Sequence, residues 1–186
     1  MSTARDRYLR ALDRVDDVVA RVRPAQWGLA TPCPDWDVRE LVGHLADGQA
    51  QVAAMLRGTP ARPGTAGRAG PDPTAAWRRA RQEVVAALAA VADDAVLRTP
   101  LGELPLPALL DTAVVEPLLH GWDLATAVGS TPDLDPETVE VTLTGVRALG
   151  DRLAGTGTYA AALPVSDGMT AREQLLALTG RRPVAP

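Results

Sequence analysis

Hydrophobic residues recur at the spacing of a helix face along most of this chain. The pattern predicts five long helices, over about 3–23, 37–57, 74–91, 107–128 and 135–153. A shorter helix follows the capping-box residues Thr170 and Glu173, and 96–106 and 159–165 predict short extended pieces. Together these elements predict a mainly α protein, a four-helix bundle with one or two extra short helices and minor β structure. The length suits a single domain over 1–186.

Polar and special residues mark where the predicted helices begin, bend and end. Asp37 and Glu40 have the spacing of a capping box at the start of the second helix. Pro117 lies inside the fourth helix, where it removes one backbone hydrogen bond and predicts a bend or bulge. Residues 58–73 are rich in Gly, Pro, Ala and Arg, and they predict a mobile loop that could cover a cavity.

Composition excludes several classes of protein. Hydrophobic residues make up 46% and charged residues 23% of the chain, as in an ordinary globular protein. No apolar run approaches the roughly 20 residues that span a bilayer, so no membrane partner is expected. The net charge of -4, with no basic block, argues against nucleic acid as a partner. The single cysteine and the absence of an N-terminal signal pattern predict a cytoplasmic location.

The two histidines both lie where a metal ion could bind. Glu116 and His120 are four residues apart in the fourth predicted helix, so their side chains share a face. His44 lies on an otherwise apolar stripe of the second helix. Two imidazoles and a carboxylate with one open position are typical of a catalytic zinc site. The alternative is that Glu116 and His120 form a surface ion pair that stabilises the helix slightly.

Three neighbouring residues are further candidates. Asp123 shares the face of His120 and could accept a hydrogen bond from a ligand imidazole, act as a fourth ligand, or be an exposed acid without a role. Cys33 could be a soft ligand or a nucleophile, but a small buried hydrophobe is the favoured interpretation. Trp36 and Trp122 could line a pocket, although core packing is favoured for both.

Three segments resemble the mycothiol-dependent maleylpyruvate isomerase family, a member of the DinB-like superfamily of metal-binding four-helix bundles. Residues 27–45, WGLATPCPDWDVRELVGHL, are similar to its N-terminal signature, and 116–125, EPLLHGWDLA, to its second signature. Residues 175–183, LLALTGRRP, resemble the C-terminus of its short members. The resemblance implies that the whole of 1–186 is one DinB-like metal-binding domain.

The resemblance also implies a site and a chemistry. His44, Glu116 and His120 would be ligands of Zn²⁺ or another divalent metal, and mycothiol would be the cosubstrate. Asp123, from its place on the face of His120, is the candidate catalytic residue that would support them. Short members of the family look like metal-dependent thiol S-transferases, in which this low-molecular-weight thiol attacks an electrophilic small molecule. A cis-trans isomerase of the maleylpyruvate type, a metallohydrolase and a non-enzymatic metal-binding or ligand-binding bundle are the alternatives.

Overall fold

The computed structural model describes residues 2–34, 36–60, 70–99, 102–150 and 160–182. Helices and two short strands make up these ranges: α1 Ala4–Val19, a 3-10 turn Pro24–Gln26, α2 Val38–Arg57, α3 Pro73–Ala89, β1 Val96–Thr99, β2 Gly102–Pro105, α4 Leu106–Ala113, α5 Val115–Ala127, α6 Pro136–Leu149 and α7 Ala171–Leu178. The prediction of a mainly α, DinB-like helical fold with minor β structure is therefore confirmed. None of the described helices has both the length and the hydropathy needed to cross a bilayer.

The chain divides into two compact units, one of residues 2–133 and one from residue 134 onward. In the first unit α1, α2, α3 and the pair α4–α5 form the four-helix bundle. Its core contains the residues predicted from the apolar stripes, among them Tyr8, Leu12, Trp77 and Leu88, each at most 1% exposed. That residues 1–186 act as a single domain stays a prediction.

Local capping explains where α2 begins. The Asp37 side chain accepts a hydrogen bond from the Glu40 backbone N–H, and the Glu40 carboxylate accepts one from the Asp37 N–H. These two bonds satisfy backbone donors that the first turn of a helix leaves free. The predicted capping box is confirmed, and it fixes the start of α2 at Val38, seven residues before Leu45.

The fourth predicted helix is divided, and the division is not at the proline itself. Helix α4 ends at Ala113 and α5 begins at Val115, with Val114 between them. Pro117 has no N–H to donate to the Ala113 carbonyl, and its ring crowds that carbonyl. The backbone hydrogen bonds of the helix resume at Leu118, whose N–H donates to the Val114 carbonyl over 3.0 Å. The distortion caused by Pro117 is therefore seen one turn earlier than its position in the sequence.

The described part of 96–106 confirms the two short extended pieces. Strands β1 and β2 pair antiparallel, with Thr99 opposite Gly102. Gly102 has a φ of 105°, a conformation that side-chain-bearing residues rarely adopt.

In the second unit α6 packs against α7. The strand predicted over 159–165 is wrong for the described residues 160–165, which form no strand. The Leu163 N–H donates instead to the Ala177 carbonyl near the end of α7, over 2.8 Å. An extended segment without a neighbouring strand cannot form a ladder, whatever its sequence pattern. Tyr159, the predicted end of α6 at 151–153, and residues 61–69 of the predicted mobile loop lie outside the described residues.

Candidate metal centre

The three predicted ligands meet between α2 and α5. His44 Nε2 lies 2.8 Å from Glu116 Oε2, and His120 Nε2 lies 3.4 Å from the same oxygen. One nitrogen from each histidine and one oxygen from Glu116 all lie within 4.8 Å of one another. The two α5 residues are brought together by their helical spacing, and α2 packs against α5 to supply the third.

These donors fit a divalent cation such as Zn²⁺. Zinc binds imidazole nitrogen and carboxylate oxygen at about 2.0–2.2 Å, so tetrahedral ligands lie roughly 3.3 Å apart. The observed separations of 2.8 and 3.4 Å bracket that value. The roles of His44, Glu116 and His120 as metal ligands stay a prediction, for which the donor types and spacings are suitable.

Asp123 lies behind the His120 ring. Its Oδ2 is 2.9 Å from His120 Nδ1, on the edge of the ring away from the nitrogen that faces Glu116. Asp123 is fully buried, so the alternative that it is an exposed acid is wrong, while its role in catalysis stays a prediction. Since the carboxylate accepts the Nδ1 proton, a neutral His120 presents an Nε2 lone pair towards the Glu116 oxygen. Two lone pairs that face each other are stabilised by a cation placed between them.

Cys33 contacts the same pair of residues. Its Sγ lies 3.3 Å from Asp123 Oδ2 and 3.6 Å from His120 Nδ1. Sequence reasoning favoured a buried hydrophobe, but Cys33 is half-buried and has these polar neighbours. A nucleophile, base and acid relay needs the two outer groups on different nitrogens of the histidine. Here both lie on Nδ1, so the three residues do not form such a relay.

Trp36 covers the site from the connector before α2. Its ring stacks on His44, with centroids 4.3 Å apart and planes 30° apart, and it meets the His120 ring edge-on at 5.8 Å. It also packs against the bundle core, as the core-packing interpretation predicts. Trp122 is buried at 2% exposure, as core packing predicts.

Hydrogen bonds of Thr31 hold the connector that carries Cys33 and Trp36. The Thr31 hydroxyl donates to the Trp36 carbonyl over 2.8 Å, and the Cys33 N–H donates to that hydroxyl over 3.1 Å. The Trp36 N–H in turn donates to the Cys33 carbonyl over 3.1 Å. This closed turn places a thiol and an indole on the site. No periodic pattern in the sequence signals such a turn.

A glycine beside His120 allows close packing of α5. A Cβ at Gly121 would lie only 3.2 Å from Val15 Cγ2 of α1, tighter than ordinary van der Waals contact. Gly121 therefore lets α1 and α5 approach closely beside His120, which is only 6% exposed.

Comparisons with known proteins agree with this fold. The model of the family described as the mycothiol maleylpyruvate isomerase N-terminal domain matches residues 8–125. Two proteins from different strains of Mycobacterium tuberculosis, both named as uncharacterized, are each 35% identical to this chain over 181 residues. Each alignment covers 94% of this chain and 95% of the relative.

Two crystal structures share the fold. One is of the mycothiol-dependent maleylpyruvate isomerase and the other is of a mutant of that enzyme, with TM-scores of 0.60 and 0.63. The sequence identities are 18% and 16%, and each comparison covers 87% of this chain and 77% of the solved chain. At such identities the likeness shows the fold alone. The family match, by contrast, spans most of the bundle and contains all three predicted ligands, and so this chain belongs to the mycothiol maleylpyruvate isomerase N-terminal domain family.

Proposed function

We propose that this protein is a metal-dependent thiol S-transferase that joins mycothiol to an electrophilic small molecule in the cytoplasm. His44, Glu116 and His120 would hold Zn²⁺ or another divalent cation. The convergence of their three donor atoms within 4.8 Å supports this proposal most directly. The description of the family supplies the thiol, because it names mycothiol.

When bound, the ion would lower the pKa of a coordinated thiol or water, so that a nucleophile is available at neutral pH. Glu116 and the two imidazoles would provide the donors, and Asp123 would hold the His120 proton on Nδ1 so that Nε2 is free. In the transfer itself a carbon–sulfur bond forms and the bond from carbon to the leaving group breaks. The leaving group departs with the electron pair, and the thiol proton passes to solvent.

Exposure at the site suits a reaction with two small molecules. The side chains of His44 and Glu116 are each 31% exposed, while that of His120 is 8% exposed. One side of the donor cluster is therefore reachable from solvent, and the other side is packed against the bundle. A closed structural zinc site has four protein ligands, whereas a set of three leaves one position for a small molecule.

The test measures thiol consumption by the metal-loaded protein with mycothiol and a haloaromatic electrophile. We expect the thiol to be consumed only when both compounds and the metal are present. Glu116→Gln and His120→Ala should each lower the rate at least about 100-fold, since each removes a metal ligand. Glu103→Gln, which changes an exposed carboxylate on β2, is the matched control and should keep the wild-type rate.

The same assay distinguishes the other reactions. Conversion of a cis double bond to trans, with no net loss of thiol, would favour an isomerase, which is what the enzyme in the two crystal structures is called. Ester or amide cleavage without thiol would favour a hydrolase. Metal binding without any of these reactions would leave a binding protein, and the transferase proposal would be rejected.

A further inference from the structure

The two histidines of the site are held by different means. Asp123 accepts a hydrogen bond from His120 Nδ1 over 2.9 Å, and this leaves His120 Nε2 on the side of Glu116, whose Oε2 lies 3.4 Å away. The ring of His44 has one hydrogen-bond partner among the described residues, Glu116, which lies 2.8 Å from Nε2. A single hydrogen bond to one ring atom leaves the plane of an imidazole free to tilt.

Two ring contacts restrain the plane of His44. The His120 ring meets it edge-on, at 5.0 Å between centroids. The Trp36 ring lies closer, at 4.3 Å between centroids with the planes tilted by 30°. Aromatic rings in contact have preferred separations and angles, so the larger Trp36 ring limits the tilt of the smaller His44 ring. The Glu116 hydrogen bond then selects Nε2 as the atom that faces the donor cluster.

Trp36 is itself held in place. Its backbone carbonyl accepts from the Thr31 hydroxyl and its N–H donates to the Cys33 carbonyl, over 2.8 and 3.1 Å. Its side chain packs against the core of the bundle. Because both the backbone and the ring of Trp36 are held, Trp36 can orient the neighbouring His44 ring. A mobile side chain could not do so.

We propose that Trp36 is a positioning residue, which holds the His44 imidazole in the orientation that directs Nε2 at Glu116 and so raises the affinity of the site for a metal ion. In most metal-binding histidines a carboxylate or carbonyl on the second nitrogen does this work. In this site the Trp36 ring orients His44, and the Asp123 carboxylate orients His120. The effect on metal affinity rests on the proposed function; the effect on ring orientation does not.

Two measurements test the proposal on Trp36→Leu. In metal-free protein labelled with ¹³C-histidine, relaxation reports the order parameter of each ring, and only two signals need assignment because the chain has two histidines. We expect the His44 order parameter to fall below about 0.6, the range of flexible groups, while that of His120 stays at its wild-type value. Competition with a chromophoric chelator should show Zn²⁺ affinity lowered about 10-fold, as is typical when a group that orients a ligand is lost.

Three further variants make the result specific. Trp36→Phe keeps an aromatic face and should restore most of both properties. Trp27→Leu is the matched control. Trp27 lies in the same region, and the Arg39 guanidinium is 5.9 Å from its ring centre. Among the described residues Trp27 has no ring contact with either histidine. If Trp36→Leu does not fold, the same two measurements can be made on Trp36→Met, in which a flexible apolar side chain fills the space of the indole.

An unchanged His44 order parameter in the variants without an aromatic ring would overturn the proposal. A lower order parameter with wild-type Zn²⁺ affinity would also overturn it, since Trp36 would then not prepare the site for an ion. If the wild-type protein takes up no Zn²⁺ but the variants still lose His44 order, the proposed function fails and the positioning of His44 by Trp36 stands.

Discussion

Replacing Asp123 with asparagine would test the contact that orients His120. The side chain keeps its shape and can still accept a hydrogen bond from Nδ1, which lies 2.9 Å away, but it loses its charge. A hydrogen bond to a charged group contributes about 1.5–3 kcal/mol and a neutral one about 0.5–1.5 kcal/mol. The two differ by about 1–1.5 kcal/mol, and 1.4 kcal/mol corresponds to a tenfold change in an equilibrium constant. We therefore expect Asp123→Asn to bind Zn²⁺ about 10-fold more weakly than the wild type.

Competition titration against a chelator measures this change, and urea denaturation of the metal-free protein shows whether the fold has suffered. Asp133→Asn is the matched control, since it makes the same atomic change at an exposed carboxylate that pairs with Arg14 at 3.1 Å. That variant should bind the metal as the wild type does, because exposed ion pairs contribute little and Asp133 does not contact either histidine. Wild-type affinity in a correctly folded Asp123→Asn variant would refute the reasoning, because the Asp123 charge would then have no part in preparing His120.

Two other predictions concern the fold. Tyr8→Phe removes the hydroxyl that donates to Gln49 Oε1 in the core, and the buried acceptor that remains should lower the free energy of unfolding by about 1–3 kcal/mol, measured by urea denaturation. An unchanged denaturation midpoint would contradict it. The backbone N–H and then the hydroxyl of Thr170 lower the pKa of Glu173 below its usual value of 4.5. The ionised carboxylate therefore stabilises the fold above about pH 4.5 and loses this effect as the pH falls through the lowered pKa. The stability difference between wild type and Glu173→Gln should shrink over that acid range, and a difference independent of pH would count against it.

The sequence predicted most of the bundle because helix periodicity is a local property. The spacing of four residues between Glu116 and His120 fixes their shared face as soon as the segment is helical. The apolar stripe around His44 likewise indicated which face of α2 turns inward. Neither pattern states which two helices are neighbours, and for that step the family resemblance was needed.

The features that sequence reasoning missed depend on contacts between distant residues. The polar neighbours of Cys33 and the stacking of Trp36 follow from the turn closed by Thr31, which has no periodic signature. The strand predicted over 159–165 is wrong for the described residues because a β-ladder needs two strands. The pattern of apolar residues in one segment does not show whether a partner strand exists, and the described residues there have none. The division of the fourth helix at Val114 shows that a proline acts on the carbonyl four residues before it.

The arrangement around Glu116 explains how three potential ligands can stay together before an ion binds. The carboxylate lies 2.8 Å from His44 Nε2 and can accept its proton, so these two residues are joined without a metal. The contact with His120 Nε2 is longer, at 3.4 Å, as expected if the Nδ1–H group donates to Asp123 and Nε2 carries a lone pair. For both imidazoles to bind a cation through Nε2, the His44 proton would have to lie on Nδ1 instead of Nε2, whereas His120 Nε2 would already be free. Because the rings are held by Trp36 and Asp123, little ordering remains to oppose binding. Metal affinity should accordingly depend on the pair of residues behind the rings as well as on the three donors that face the ion.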